Sequence, residues 1–115
     1  MKGLIIKSPW IDYILDKEKT WEIRGSNTSI RGKICLIKSG TDKVYGECDL
    51  IDCIPLDYVN YKSNIDKHRV AQITEGILPY KKTYAWVLSN VKKYNKPKRY
   101  IKKPGAIIWV NVETY

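Results

Sequence analysis

Between Ser8 and Gly25 the hydrophobic period of the chain changes from that of a helix to that of a strand within a few residues, which limits the folds open to it. Ser8 is a preferred N-cap residue, and Pro9 follows at the first helical position, where its missing N–H costs nothing. Trp10, Tyr13, Ile14 and Lys17 then recur at i, i+3, i+4 and i+7, so the spacing predicts a short amphipathic helix ending near Lys17. From Thr20 to Arg24 polar and apolar residues alternate, the pattern of a half-buried strand. Trp21 and Ile23 are expected to face the core. Thr20, Glu22 and Arg24 share the opposite face, with Lys19 at the turn that feeds it.

A carboxylate between a lysine and an arginine is held in its charged form. Such a cluster can orient a polar ligand, hold a phosphate, or be a row of exposed ion pairs, which are common and contribute little. The spacing leaves these readings open.

The charge distribution adds a second feature. Of the net +9, almost all arises between Lys81 and Lys103, where nine basic residues meet no acidic one; elsewhere the charges nearly balance. A local basic excess attracts polyanions through counterion release and steering, so Lys92, Lys93, Lys96, Lys98, Arg99, Lys102 and Lys103 are candidate nucleic-acid contacts. Tyr94 and Tyr100 stand among them, and aromatics mixed with basic residues suit a phosphate backbone with bases to stack. A lysine-rich solvated loop is the alternative.

A chain of 115 residues fits one domain over residues 1–115, and 43 % hydrophobic with 29 % charged residues is ordinary globular usage. Phe is absent; Tyr and Trp supply every aromatic, most for the core and some for a wet cleft. Cys35, Cys48 and Cys53 are irregularly spaced and odd in number, which speaks against a zinc site or disulfide framework and for reduced, packing thiols. No metal or cofactor is implied. No apolar stretch approaches bilayer-spanning length, so no membrane association and a cytoplasmic location are the default expectations. His68, the single histidine, is expected at the surface.

Further strands are predicted at Lys2–Lys7, Lys33–Ser39, Val44–Pro55, Thr83–Val91 and Ala106–Val112, the third with a bulge or close approach at Gly46. A second short helix, capped by Ser63 or Asn64, lies in the irregular stretch Leu56–Tyr80. Pro97 and Pro104 argue against regular structure in Lys92–Lys103. About six strands and two short helices, joined largely by hairpins, make a mainly β, α+β fold, best satisfied by a small antiparallel barrel with helices at its ends.

Glu18-Lys19-Thr20-Trp21-Glu22-Ile23-Arg24 after the Pro9-Trp10 helix start resembles the ASCH domain family, whose signature is G-x-K-x-x-E-x-R at a helix end. Lys19, Glu22 and Arg24 map onto it, and Lys17 stands where the family has glycine. Arg31-Gly32-Lys33-Ile34, Val44-Tyr45-Gly46-Glu47, Tyr84-Ala85-Trp86-Val87-Leu88 and Gly105-Ala106-Ile107-Ile108-Trp109 resemble further family strands, in order. The resemblance implies a PUA-like barrel that binds RNA or a nucleotide in a cleft lined by Lys19, Thr20, Glu22 and Arg24, with Trp10 as a stacking neighbour. It also implies an alternative, a small hydrolase of amidohydrolase or ribonuclease type in the same cleft, with Lys19, Glu22 and Arg24 as its catalytic residues. Family amidohydrolases use a lysine base, a threonine three residues on and a distant glutamate. Here Glu22 holds the threonine position, Thr20 adjoins the lysine, and Glu75 is the distant acid by rough position. Whether the chain is an enzyme stays open at this point, as does its oligomeric state.

Overall fold

The computed structural model describes residues 1–105 and 108–112. Its elements are β1 (Lys2–Ile6), α1 (Trp10–Leu15), β2 (Trp21–Arg24), β3 (Gly32–Lys38), β4 (Lys43–Leu56), α2 (Tyr58–Ser63), α3 (Ile65–His68), β5 (Thr83–Arg99) and β6 (Trp109–Asn111). Of the last predicted strand, Ala106 and Ile107 lie outside the described residues.

The strands form one sheet in the order β2-β5-β4-β3-β1-β6, antiparallel except for the pair β1 and β3. The parallel pair follows from the chain between them, which carries α1 and β2 across before β3 begins. The fold is mixed α+β, with three short helices among the described residues where two were expected. The expected barrel is not closed: among the described residues β2 and β6 are edge strands that do not pair with each other. The sheet nevertheless curls enough that Nη2 of Arg24 on β2 donates to the Ile5 carbonyl on β1 at 2.8 Å.

The curl comes from β4 and β5. Their register shifts between Val44 and Gly46, Glu47 and Asp49, and Leu50 and Asp52, and each bulge sharpens the local twist. Gly46 is the close approach: a Cβ there would lie 2.6 Å from the Lys92 carbonyl oxygen and 2.7 Å from Cδ2 of Leu15 on α1. The largest bulge also explains why β5 runs through Pro97 to Arg99, against expectation. Val44 pairs with Lys98 and Gly46 with Lys93, so Tyr45 alone faces Tyr94–Pro97, and Pro97 sits where no ladder bond is needed.

α1 ends earlier than predicted because Lys17 has φ 64, a left-handed conformation that stops a helix. Pro9 occupies the cap position without a side-chain cap, and the Ser8 hydroxyl instead donates to Asp12 Oδ2 at 2.6 Å. α2 went unread in the sequence. Asp57 caps it, Oδ1 accepting from the Asn60 amide at 2.8 Å. α3 begins after Asn64, as expected, but stops at Arg69, whose φ is 59.

The main core gathers Leu4, Ile6, Ile11, Ile14, Ile34, Leu36, Leu50 and Trp86 between α1 and the sheet. A second cluster joins Trp21, Ile23, Leu56, Tyr61 and Ala85 to Val70, Ile73 and Leu78 of the irregular segment before β5. That segment changes the character of β2. Trp21 and Ile23 are buried as expected, but Glu22 between them is buried too, so both faces of the strand are covered.

Candidate functional site

Lys19 is turned inward by the chain that follows α1. After the left-handed Lys17, the amides of Glu18 and Lys19 both donate to the Tyr13 carbonyl, at 2.8 and 3.1 Å, and fold the chain back. Thr20 then ties its amide to the Lys67 carbonyl at 2.9 Å. Lys19 ends 1 % exposed, its ammonium donating to the His68 carbonyl and standing 3.5 Å from Glu22 Oε1. On the other side Glu22 Oε2 accepts from Arg24 Nε at 3.1 Å and Nη2 at 2.8 Å. Both donors meet the same carboxylate oxygen, a charge-assisted contact that leaves Oε1 to Lys19. The guanidinium also lies over the Trp86 ring, 5.5 Å from its centroid.

An exposed ion-pair row is therefore excluded, since Lys19 and Glu22 are both buried. Burial pushes the Lys19 amine down to about 8, against the pull of Glu22, which favours the ammonium; Arg24 nearby pushes it further down. Burying such a cluster costs desolvation that the ion pairs offset only with good geometry.

His68 is buried and not at the surface, contrary to the sequence expectation. The helical turn of α3 delivers it beneath Tyr61, the rings stacked 4.4 Å apart. Its Nδ1 accepts from the Val70 amide at 3.0 Å, so the proton is on Nε2, which donates to the Tyr61 carbonyl at 2.7 Å. Burial pushes its pKa below the ordinary histidine value, and Lys19 pushes the same way. One residue thus holds α2, the start of the irregular segment and Lys19 together.

These groups open onto a cleft of about 430 Å³. Lys19, Glu22, Ile23 and Arg24 form one wall, and Ile5, Lys7, Trp10 and Ser39 continue it along the ends of β1 and β3 and the start of α1. Tyr61, Val70, Pro79 and Tyr80 form the other wall, all from the stretch between β4 and β5. The Tyr80 ring packs on Gly25, where a Cβ would meet its Cδ1 at 2.9 Å. Trp10 both lines the cleft and packs on the main core.

The remaining sequence candidates lie elsewhere. Thr20 is exposed and is not among the lining residues. Glu75 is at the surface with Tyr58 and Lys62, at 3.3 and 3.4 Å, away from the cleft lining. Lys92, Lys93, Lys96, Lys98 and Arg99 are exposed along the far half of β5, and Lys102 and Lys103 just beyond it. Lys93 pairs with Asp16 at 3.5 Å and Arg99 with Asp42 at 3.1 Å. α1 links the basic strand to the cleft, with Trp10 lining the cleft at one end and Asp16 holding Lys93 just past the other. Its six residues rise about 9 Å. Lys7, Ser39, Tyr61 and Tyr80 were not foreseen. Lys7 and Ser39 converge only through strand register, and the two tyrosines sit in the stretch with the weakest pattern.

A sequence model of the ASCH domain matches residues 4–98. The chain belongs to the ASCH domain family. The family's glycine position is the one Lys17 occupies at φ 64, a conformation glycine adopts without strain. Solved structures of the ASCH protein from Zymomonas mobilis share the fold. One of them aligns with TM-score 0.60 at 17 % identity, covering 80 % of this chain and 68 % of that one. A serine-to-alanine mutant of the same protein aligns with TM-score 0.67 at 16 % identity over 96 % of this chain and 87 % of that one. Comparison with curated proteins gives no match. No helix among the described residues is long and apolar enough to cross a membrane, and no cluster of three His, Cys, Asp or Glu that could hold a metal occurs among them.

Proposed function

We propose that this ASCH domain binds single-stranded RNA or a nucleotide, taking one base into the cleft beside Lys19, Glu22 and Arg24. The observation that carries the reading is the charged trio, with Lys19 and Glu22 buried and Arg24 half-buried, opening onto a cleft of about 430 Å³, within the usual range for a small-ligand site. In this reading Glu22 accepts from a base amino group, Lys19 and Arg24 face a carbonyl or phosphate oxygen, and Trp10 and Tyr80 flank the ring. The exposed basic residues of Lys92–Lys103 supply phosphate contacts to the rest of the strand, Lys93 standing one helix length from the cleft through its pair with Asp16. The PUA-like barrel belongs to this reading as the architecture of which the curled six-stranded sheet is an open form.

One observation favours a second reading, a hydrolase acting on a modified nucleoside or RNA. An amine lowered to about 8 has a fraction in the free-base form just above neutral pH, the form a general base needs. With Thr20 outside the cleft lining and a carboxylate at position 22, the nucleophile in this reading is a water activated by Lys19.

Glu22→Gln separates the two. Nucleosides and a mixed-sequence single-stranded RNA are titrated against both proteins, and products are followed by chromatography. A binding cleft weakens in the variant with no product from either protein; a catalytic one turns over only in the wild type. Unchanged affinity with no turnover contradicts both readings.

A further inference from the structure

We infer that the cleft contains a phosphate subsite formed by Lys7, Ser39 and Arg24, so that its ligand is a nucleotide held by base and phosphate together; this rests on the base-binding reading for the second half only. β1 and β3 run parallel with Ile6 opposite Lys38, which makes Lys7 and Ser39 the next pair in register. The Ser39 amide donates to the Ile6 carbonyl at 2.9 Å and fixes the two strand ends side by side. Lys38, one position earlier, places its ammonium over the Tyr45 ring at 5.6 Å, and Ser39 lines the cleft with Lys7. Arg24 arrives at the same strand end, with Nη2 on the Ile5 carbonyl two residues before Lys7.

The donors left over at this point define the chemistry. Arg24 commits Nε and Nη2 to Glu22 and Ile5, while Nη1 has no hydrogen-bond partner among the described residues. Lys7 makes no ion pair and the Ser39 hydroxyl no hydrogen bond among them. Among the described residues Glu22 is the one carboxylate lining the cleft, against the cations Lys7, Lys19 and Arg24; Lys19 and Arg24 already share it, so Lys7 adds a cation with no carboxylate of its own. A guanidinium edge, an ammonium and a hydroxyl are donors without a competing acceptor charge, and they suit a ligand with several acceptor oxygens on one centre. Phosphate has that form. It could belong to a terminal monophosphate or to an internal RNA diester.

The test follows backbone and arginine side-chain NMR signals of the wild type, Lys7→Ala and Ser39→Ala during titration with inorganic phosphate, then with nucleosides, nucleoside 5′-monophosphates and dinucleoside monophosphates. The expected result is saturable shifts at Lys7, Ser39 and Arg24 with phosphate, and affinity about tenfold lower in Lys7→Ala. Tighter binding of 5′-monophosphates than of dinucleoside monophosphates assigns a terminal group, and the reverse assigns an internal one. Absence of shifts at these residues, or shifts unchanged in both variants, overturns the subsite even where nucleosides bind. Phosphate shifts without nucleoside binding keep the subsite and overturn the base-binding reading instead.

Discussion

The ammonium of Lys19 donates to the backbone carbonyl of His68, 49 residues further along the chain. This bond joins the signature motif to the wall that faces it across the cleft, so the packing of that wall depends on a buried amine.

That dependence gives a stability signal. The folded-state value of about 8 lies below the ordinary 10.5, so between those values the unfolded chain binds more protons and stability rises with pH. The full effect is on the order of 3 kcal/mol. Cys35 and Cys48 act in the opposite sense, since burial raises them to about 11 and 12 and their contribution is lost as pH climbs above the ordinary thiol value. Urea unfolding from pH 7 to 10 should therefore show the wild type gaining on Lys19→Met as pH rises, although both lose the thiol contribution. Parallel curves for the two proteins contradict the assignment.

Among the described residues, Glu22→Gln removes the one anion between the buried Lys19 and the half-buried Arg24. Breaking a buried pair from one side costs about 3–5 kcal/mol, because the remaining charges stay desolvated. Adding Lys19→Met should recover part of that loss, and a double-mutant cycle from urea midpoints measures the coupling. Additive effects mean that the two groups do not interact.

His68 sets an acid limit. Its folded pKa is depressed, chiefly by burial, so stability is lost as pH falls below the ordinary value of 6.5 toward the folded value. Protonation also turns Nδ1 from an acceptor into a donor facing the Val70 amide. Stability measured between pH 7 and 5 should fall more steeply in the wild type than in His68→Gln, and ring nitrogen shifts should report a neutral Nε2–H form at pH 7. An imidazolium at pH 7 contradicts the geometry.

Lys17→Gly should stabilise the fold by about 0.5–1 kcal/mol, because a non-glycine residue at φ 64 carries a steric cost slightly larger than the extra unfolded-state freedom of glycine. Thermal unfolding checks this, and a lower midpoint in the variant refutes it.

The sequence showed the local rules well and the tertiary ones poorly. Trp21 and Ile23, the pairing of β3 with β4 and the tight spot at Gly46 follow from alternation, turn residues and the lack of a Cβ. The charged trio was legible as a trio, but its burial was not. Val70 and Leu78 pack on the second core cluster from a stretch with no periodicity of its own. Pro97 misled because a bulge removes the ladder bond it lacks. His68 was misplaced because nothing near it in sequence announces the stack on Tyr61. Six strands form as expected, but among the described residues the short edge strands β2 and β6 do not pair, which leaves the barrel open.

The most direct test of the central claim is ultraviolet cross-linking of a mixed-sequence single-stranded RNA to the protein, with the linked peptides located by mass spectrometry. Adducts are expected at Trp10, Tyr61 or Tyr80, and are lost in Glu22→Gln. Adducts confined to Lys92–Lys103, or none at low salt, would contradict a base-binding cleft.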